Sequence, residues 1–105
     1  MGEKRFSTVL NEIIQIISYI YTENGKVVKF VVKLVVLIGT KWEEICRYDC
    51  YHGKPHKDIL YPDGSKFRVV EFDLSNEQAL NVAYKDFKDN YNLYVERYLR
   101  WRLEK

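Results

Sequence analysis

Two successive segments near the start of the chain show the alternation of apolar and polar residues that is typical of β-strands. In the second segment, every even-numbered position from Val28 to Ile38 is apolar, and the odd-numbered positions include Lys29 and Lys33. Because successive side chains on a strand point to opposite faces, the even-numbered set is expected to face the core. The first segment, residues 11–22, is rich in Ile and Tyr and is also predicted to be a strand.

The dipeptide Asn24-Gly25 lies between these segments and predicts a two-residue type I′ turn, because both residues tolerate a positive φ. That turn sets the register of the hairpin. The pairs that it predicts on the core face are Tyr21–Val28, Tyr19–Phe30 and Ile17–Val32. A helix over residues 9–22 is the competing interpretation, since its Ile residues also fit a helical stripe, but β-branching and the turn favour the strand.

The next strand follows Gly39-Thr40-Lys41 and has two possible registers. A two-residue turn would bring four charged residues over the core, namely Lys41, Glu43, Arg47 and Asp49. A three-residue loop with a bulge avoids burying these charges and is therefore expected. The residues that it places over the core are Trp42, Cys46, Tyr48 and Cys50. Arg47 and Asp49 would then lie on the opposite face beside Val31 and Lys33, which makes that face polar and mostly basic.

The second half of the chain predicts one more strand and a long helix. Residues 67–72 are predicted to form a strand after a turn at residues 62–65. Ser75 and Gln78 form a capping box, and apolar residues then repeat at three- and four-residue steps. The predicted fold is α+β, an antiparallel β-meander of about four strands with one long C-terminal helix packed on one face. Residues 1–10 are expected to be a flexible N-terminus, and residues 11–105 a single domain.

Composition limits the classes of function. The chain of 105 residues has a net charge of +2, which argues against bulk electrostatic binding to nucleic acid but not against a local basic face. The aromatic share of 15% mainly indicates packing of a helix on a sheet, and it also suits a nucleic-acid surface. No apolar run is long enough for a membrane span and no signal-peptide pattern is present, so a cytoplasmic protein is expected. Abundant Lys, Glu, Ile and Tyr is also typical of thermophile proteins.

Residues 47–58 concentrate the groups that can do chemistry, including both histidines of the protein. The predicted catalytic residues are His52, His56, Asp49 and Asp58. Histidine can take a proton from a ribose 2′-hydroxyl and return one to the leaving oxygen, as in a metal-independent ribonuclease. The predicted substrate-binding residues are Arg47, Tyr48, Lys54 and Lys33, of which the cations can hold a phosphate. The alternative is that the histidines cap loop carbonyls and the aspartates end strands.

The same stretch does not predict a disulfide or a metal centre. Cys46 and Cys50 lie about 13 Å apart if one strand runs through both, beyond the roughly 7 Å that a disulfide allows. They are therefore expected to be reduced core thiols. The spacing of the two histidines suits zinc on a helix, but Gly53 and Pro55 disfavour a helix and the sequence offers no further ligand cluster. No metal and no cofactor are predicted.

The signature of this stretch is Arg47-Tyr48-Asp49-x-x-His52-Gly53-x-Pro55-His56-x-Asp58, followed by Pro62-Asp63-Gly64. It resembles a family of short, uncharacterised archaeal and bacterial proteins, and the likeness extends over roughly residues 25–98. Its core is also similar to the toxin subunits of TumE-type toxin–antitoxin systems, although Lys57 stands where those toxins tend to carry an extra His. This second resemblance implies a small intracellular toxin that a cognate protein partner neutralises, with RNA as its target.

Two hypotheses follow for the function. The first is a toxin-like, RNA-acting protein that uses the basic face and the histidine loop. The second is a non-enzymatic interaction module or homodimer, because both faces of the first strand are apolar and one helix covers only one face of a sheet. The residues concerned are Ile13, Ile17, Tyr19 and Tyr21 on one face and Ile14, Ile16 and Ile20 on the other. Neither hypothesis involves a membrane.

Overall fold

The computed structural model describes residues 2–51 and 53–104. The strands in this part of the chain form one antiparallel sheet in chain order, and a helix follows them. The strands are β1 (Gly2–Asn11), β2 (Ile14–Glu23), β3 (Lys26–Ile38), β4 (Lys41–Asp49), β5 (His56–Leu60) and β6 (Lys66–Glu71), and the helix is α1 (Asn76–Leu103). The predicted α+β class and the antiparallel meander with a C-terminal helix are confirmed. The described sheet has six strands rather than about four.

The two unpredicted strands are β1 and β5. β1 covers residues 2–10 of the segment 1–10 that was expected to be flexible, and it pairs with β2 as an edge strand. The alternation of apolar and polar residues in β1 is weak, because α1 packs on β3 and β4 and leaves β1 largely exposed. β5 begins at His56, inside the stretch that was predicted to be a loop, and pairs with β4 on one side and β6 on the other. A strand of five residues is too short to show a clear period of two.

The first hairpin has the predicted turn but a different register. Asn24 and Gly25 have φ values of 51° and 74°, as a type I′ turn requires. Thr22 then pairs with Val27, whereas Tyr21 pairs with Lys29, so that the strand bulges at Val28. The predicted register is therefore wrong beyond the bulge. The β2 residues opposite the buried side chains of β3 are Ile14, Ile16, Ser18 and Ile20, and not Ile17, Tyr19 and Tyr21.

The start of α1 is anchored to β3 beside this bulge. The Asn76 side-chain amide donates to the Val27 carbonyl at 2.9 Å, and the Val27 N–H donates to the Glu77 carboxylate at 2.9 Å. These backbone groups lie beyond the part of β3 that pairs with β4, which ends at Val31, and the helix satisfies them. A bulge shifts every later residue of the strand to the other face. This long-range contact is not visible in the local pattern of the hairpin.

A second bulge, in β4, determines which side chains of that strand face the core. Ile38 pairs with Lys41, so the turn at Gly39-Thr40 has two residues and not the predicted three. The extra residue is Ile45, which lies between the pairs Val35–Glu44 and Leu34–Cys46. Because the bulge comes after Trp42, that side chain is 44% exposed, contrary to the prediction. The other three predicted core residues are buried, namely Cys46, Tyr48 and Cys50.

Helix α1 covers one face of the sheet. It begins at the predicted capping box, in which Ser75 accepts from the Gln78 N–H and the Gln78 side chain accepts from the Ser75 N–H. On its buried side, Ala83 and Phe87 share one hydrophobic core with the buried even-numbered residues of β3. The opposite face of the sheet has no helix in the described chain, and we call it the open face. Within the described ranges, no helix combines the length and apolarity that crossing a membrane requires.

Candidate functional site on the open face

The ends of β4 and β5 bring the charged residues of the signature together on the open face. Asp49 lies directly opposite His56 in the ladder, and Arg47 lies directly opposite Asp58. Arg68 of β6 extends the second pair, because it lies opposite Asp58 on the other side. Cross-strand partners project on the same side of a sheet, so these side chains form a compact group. As predicted, Arg47 and Asp49 lie beside Lys33 and Val31, on the side away from the core.

At the centre of this group is a buried cluster of Asp49, His56 and Asp58, which we call the acid–histidine cluster. The His56 Nε2 atom lies 3.0 Å from Asp49 Oδ1 and 3.6 Å from Asp58 Oδ2. Each of the three residues is less than 5% exposed. Burial of two carboxylates so close together is costly unless hydrogen bonds or positive charge compensate them.

Backbone groups hold two members of the cluster in place. The His56 Nδ1 atom is 3.1 Å from the Lys54 carbonyl, so a proton on Nδ1 can be donated to that oxygen. Asp49 Oδ1 accepts from the Tyr51 N–H at 3.1 Å. Asp58 Oδ2, in contrast, is buried and has no hydrogen-bond partner among the described residues. Backbone groups therefore fix Asp49 and His56, whereas one oxygen of Asp58 lacks a hydrogen bond.

Arginine side chains flank the cluster on both sides. The Arg68 guanidinium lies 3.2 Å from His56 Nε2 through Nη2 and 3.5 Å from Asp58 Oδ1 through Nε. Arg47 Nη1 lies 4.0 Å from Asp49 Oδ2. The rest of the Arg47 fork is held by Glu44 in two hydrogen bonds of 2.6 and 3.0 Å, and Lys33 approaches Glu44 at 3.5 Å. The hydrogen bonds to Glu44 raise the pKa of Arg47, although burial of the guanidinium group opposes this increase.

Two adjoining cavities open on this face. The smaller, of about 220 Å³, has Arg47, Arg68 and two members of the cluster in its wall. The larger, of about 420 Å³, extends towards β1 and β2 and is lined by Tyr19, Lys33 and Arg5, among others. Val31 and Tyr51 belong to both linings, so the cavities are neighbours. The open face thus combines a buried reaction-capable cluster with cationic and aromatic side chains.

A model of one protein family covers this entire arrangement. It is described as a domain of unknown function, DUF7718, and it matches residues 1–104. The chain belongs to the DUF7718 family. This agrees with the expectation of an uncharacterised family, whereas the similarity to TumE-type toxins stays a prediction. No curated protein and no solved structure matches the chain significantly.

The structure of this DUF7718 protein does not unite all predicted site residues. Asp49, His56, Asp58 and Arg47 come together, and Lys33 borders the larger cavity. His52 lies outside the described residues. The Lys54 side chain is 64% exposed and makes an ion pair with Asp73 at 3.9 Å, so that only its carbonyl reaches the cluster.

Tyr48 was predicted to bind substrate, but it points to the helix side of the DUF7718 sheet. There it belongs to a second polar cluster, which we call the helix-side cluster and which comprises Tyr48, Lys57, Asp86, Asn90 and Tyr94. Asp86 accepts hydrogen bonds from Tyr48 at 2.6 Å, Tyr94 at 2.6 Å, Asn90 at 2.8 Å and Lys57 at 3.0 Å. Lys57 also donates to the Tyr94 hydroxyl.

The electrostatics of the helix-side cluster follow from these contacts. Burial, together with the hydrogen bonds that their hydroxyl groups donate to the Asp86 carboxylate, raises the pKa of both Tyr48 and Tyr94. Burial opposes ionisation of Asp86, but the donated hydrogen bonds outweigh it and lower the pKa of that carboxyl group. These shifts favour protonated Tyr48 and Tyr94 and an ionised Asp86 at neutral pH. The cluster is arranged to hold α1 against β4 and β5.

Sequence reasoning missed Arg68 as a member of the open-face site. A signal was present, because Arg68 belongs to the predicted strand 67–72 and lies two residues after Lys66, so that the two cations share a face if the strand begins one residue earlier. Which face they share depends on the pairing of β6 with β5. β5 was not predicted, so its neighbour could not be placed. The one lysine and two arginines that border the smaller cavity come from β4 and β6.

Proposed function

We propose that this DUF7718 protein binds single-stranded RNA on its open face and acts on the RNA backbone at the acid–histidine cluster. The observation that carries the proposal is the position of the cluster. Asp49, His56 and Asp58 lie in and beside a cavity between two arginines, on a sheet face that also presents Tyr19 and Tyr51. This combination supplies groups for a phosphate, for bases and for proton transfer within one surface.

The charges around the cluster support phosphate binding. Four cationic side chains, Lys33, Arg47, Lys66 and Arg68, lie among four carboxylates, those of Glu44, Asp49, Asp58 and Glu71. The Glu44, Asp49 and Asp58 side chains are at most 17% exposed, whereas Glu71 is 54% exposed and pairs with Arg68 at 3.3 Å. Lys33 and Arg68 are 38% and 44% exposed, so an approaching phosphate can reach both cations. Guanidinium groups also bind phosphate oxygens in a bidentate manner.

The aromatic residues favour binding of single-stranded RNA over binding of an RNA duplex. Unpaired bases stack on exposed aromatic rings, and a sheet surface with such rings is a common way to hold single-stranded RNA. Tyr19 and Tyr51 line the larger cavity, and cations lie near both rings. The Arg5 Cζ atom is 5.1 Å from the Tyr19 ring centre, and the Lys29 Nζ atom is 5.8 Å from that of Tyr51. A base stacked here leaves its phosphate close to Lys33 and Arg47.

The chemistry that the cluster supplies is proton exchange. His56 Nε2 lies next to Asp49 and on the side of the smaller cavity, where it can take a proton from a ribose 2′-hydroxyl. The resulting oxygen can attack the adjacent phosphorus, and the bond from phosphorus to the 5′ oxygen then breaks. The leaving oxygen must receive a proton, for which the sequence offers His52 as the predicted donor. Arg47 and Arg68 would stabilise the charge on the phosphate oxygens.

Fluorescence anisotropy with a labelled RNA of about ten nucleotides tests the binding. Lys33→Ala is expected to weaken binding several-fold and to lower the salt dependence of the binding constant by about 0.7 in log–log slope. Lys85→Ala is the matched control, because Lys85 is exposed and lies on the helix. It removes the same charge and should leave both quantities unchanged. His56→Ala should retain binding and lose cleavage of the same RNA.

Two results would contradict the proposal. The first is a wild-type protein that does not bind the RNA at low salt. The second is an equal loss of affinity in Lys33→Ala and Lys85→Ala, because it would show that RNA binding depends on the total charge of the protein and not on the cations of the open face. Either result would favour the second hypothesis, a protein-interaction module. The observation that supports that alternative is the edge strand β1, on which Val9 and Phe6 are 66% and 43% exposed.

A further inference from the structure

The three ligand-type atoms of the acid–histidine cluster converge on one point. One nitrogen from His56 and one oxygen each from Asp49 and Asp58 lie within 4.8 Å of one another, and all three residues are buried. Metal–ligand bonds of about 2.1 Å place neighbouring ligand atoms roughly 3.0–3.5 Å apart. The distance of 3.0 Å from His56 Nε2 to Asp49 lies within this range, and that of 3.6 Å to Asp58 lies just beyond it.

The orientation of the imidazole favours a cation over a simple hydrogen-bond network. With its proton on Nδ1, His56 donates to the Lys54 carbonyl, and the lone pair of Nε2 then points towards Asp49 and Asp58. Histidines that bind metals usually hold their second ring nitrogen on a carbonyl or carboxylate in this way. A lone pair that faces two carboxylates is electrostatically unfavourable unless it meets a cation or the guanidinium of Arg68, or unless Nε2 instead carries a proton that is donated to Asp49.

Asp58 provides an independent reason. It is 1% exposed, and its Oδ2 atom has no hydrogen-bond partner among the described residues. Buried carboxylate oxygens are normally satisfied, and an orphaned one signals a missing ligand or ion. The unsatisfied oxygen is the one that points towards His56 Nε2 and the centre of the cluster. A cation at that centre would satisfy it directly.

Arg68 supplies the positive charge in the absence of such an ion. Its guanidinium approaches both His56 Nε2 and Asp58 Oδ1, at 3.2 and 3.5 Å. These contacts are long for charge-assisted hydrogen bonds, which are usually about 2.7–2.9 Å. The Arg68 side chain is 44% exposed and can turn towards solvent without losing a buried environment. It therefore acts as a replaceable counter-charge.

We propose that Asp49, His56 and Asp58 form a binding site for one divalent transition-metal ion, of the Mn²⁺ or Zn²⁺ class. One imidazole and two carboxylates suit such ions, and no thiolate is at hand, because Cys46 packs in the core on the helix side. The inference deepens the proposed function. It rests on that function only for the role of the ion, which would bind a water and a phosphate oxygen and take over proton exchange from His56.

Isothermal titration of the RNA-free protein with Mn²⁺ and Zn²⁺ tests the site. The wild type is expected to bind one ion. Asp58→Asn should weaken the affinity at least about tenfold, because it removes one charged ligand. Asp89→Asn is the matched control, since Asp89 is exposed on α1 and its loss should leave metal binding unchanged. Circular dichroism on each variant confirms that it is folded.

Arg68→Ala gives a second test that does not depend on the stability of Asp58→Asn. Removal of the competing guanidinium should strengthen metal binding several-fold, whereas a merely structural cluster would gain nothing. The inference is overturned if neither ion binds at millimolar concentration, or if folded Asp58→Asn and Asp89→Asn bind equally well. Because no RNA is present, these outcomes are independent of the RNA titration, which can fail while the metal site stands.

Discussion

The two polar clusters lie on opposite sides of the same two strands and differ in how completely they are satisfied. On the helix side, Asp86 accepts four side-chain hydrogen bonds, and Tyr48 and Lys57 are enclosed beneath α1. On the open face, Asp49 and His56 are buried as deeply, yet one oxygen of Asp58 is left without a partner. Both clusters use alternate residues of β4 and β5.

This difference separates a structural role from a functional one. A satisfied network joins two elements and gains nothing from a further ligand. An unsatisfied one beside a cavity retains the capacity to bind, because an incoming group can supply the missing interaction. In this DUF7718 protein a cavity of about 220 Å³ borders the unsatisfied cluster, and another of about 440 Å³ borders the helix-side cluster. What separates the two clusters is the unpartnered oxygen of Asp58 and not the presence of a cavity. Burial of polar groups is therefore informative only together with an account of their partners.

The largest expected effect is on stability, from neutralising the acceptor of the helix-side cluster. Asp86→Asn should lower the free energy of unfolding by about 2–3 kcal/mol, because two tyrosines and Lys57 lose a charged partner. Asp58→Asn, the equivalent change on the open face, should alter it by less than about 1 kcal/mol, since the loss of the long ion pair with Arg68 is offset by removal of a buried charge with one unsatisfied oxygen. Urea denaturation of both variants measures the contrast. Equal losses would show that the open-face cluster also has a structural role.

A smaller effect is expected at alkaline pH. Tyr48 and Tyr94 have a raised pKa in the folded state, and burial with the Glu43 hydrogen bond raises the pKa of Tyr98 to about 12. Their protonated forms stabilise the fold fully below the ordinary tyrosine pKa of 10.0. This contribution is lost as pH rises from that value through the raised ones, because the unfolded chain ionises first.

Urea denaturation between pH 8 and 11 measures this dependence, and Tyr48→Phe should make the decline above about pH 10 shallower. Tyr19→Phe is the control on the open face, where the ring lines a cavity. An unchanged slope in Tyr48→Phe, or the same change in both variants, would contradict the assignment of the alkaline loss to the helix-side cluster.

The smallest expected effect concerns RNA affinity. Glu44 holds Arg47 and Lys33 on the open face, so Glu44→Gln should release both cations and strengthen RNA binding about threefold at low salt. The gain should shrink as salt screens the charges. Glu43→Gln is the control, because Glu43 is bound to Tyr98 and Arg102 on the helix side. An equal gain in both variants, measured by anisotropy, would mean that net charge alone controls binding.

Local signals in the sequence were sufficient for the outline of the fold. Asn24-Gly25 predicted the type I′ turn, and Ser75 with Gln78 predicted the start of α1. Both signals are short-range, since they depend on backbone conformations that neighbouring residues prefer. β1 and β5 escaped prediction because an exposed edge strand and a strand of five residues carry too little periodicity. The free cysteines in the core are also confirmed.

The candidate site was predictable only in part. Cys46 and Tyr48 were correctly assigned to the core, and Arg47 and Asp49 therefore to the opposite face. The convergence of Asp49 with His56, however, requires β5 to fold back beside β4, and Arg68 joins only through β6. Tyr48 was predicted to bind substrate because it belongs to the signature, in which it directly precedes Asp49. On a strand, that single step moves a side chain to the other face.

The sequence by itself determined the class of fold, the first turn, the helix and the facing of Arg47 and Asp49. These features follow from the preferences of residues for turns, caps and buried or exposed positions, which act over a few residues. Only the tertiary structure decided the bulges at Val28 and Ile45 and the assembly of the acid–histidine cluster. Bulges and strand pairing depend on contacts between distant segments, such as that of α1 with Val27, and a shift of one residue reverses which side chains meet.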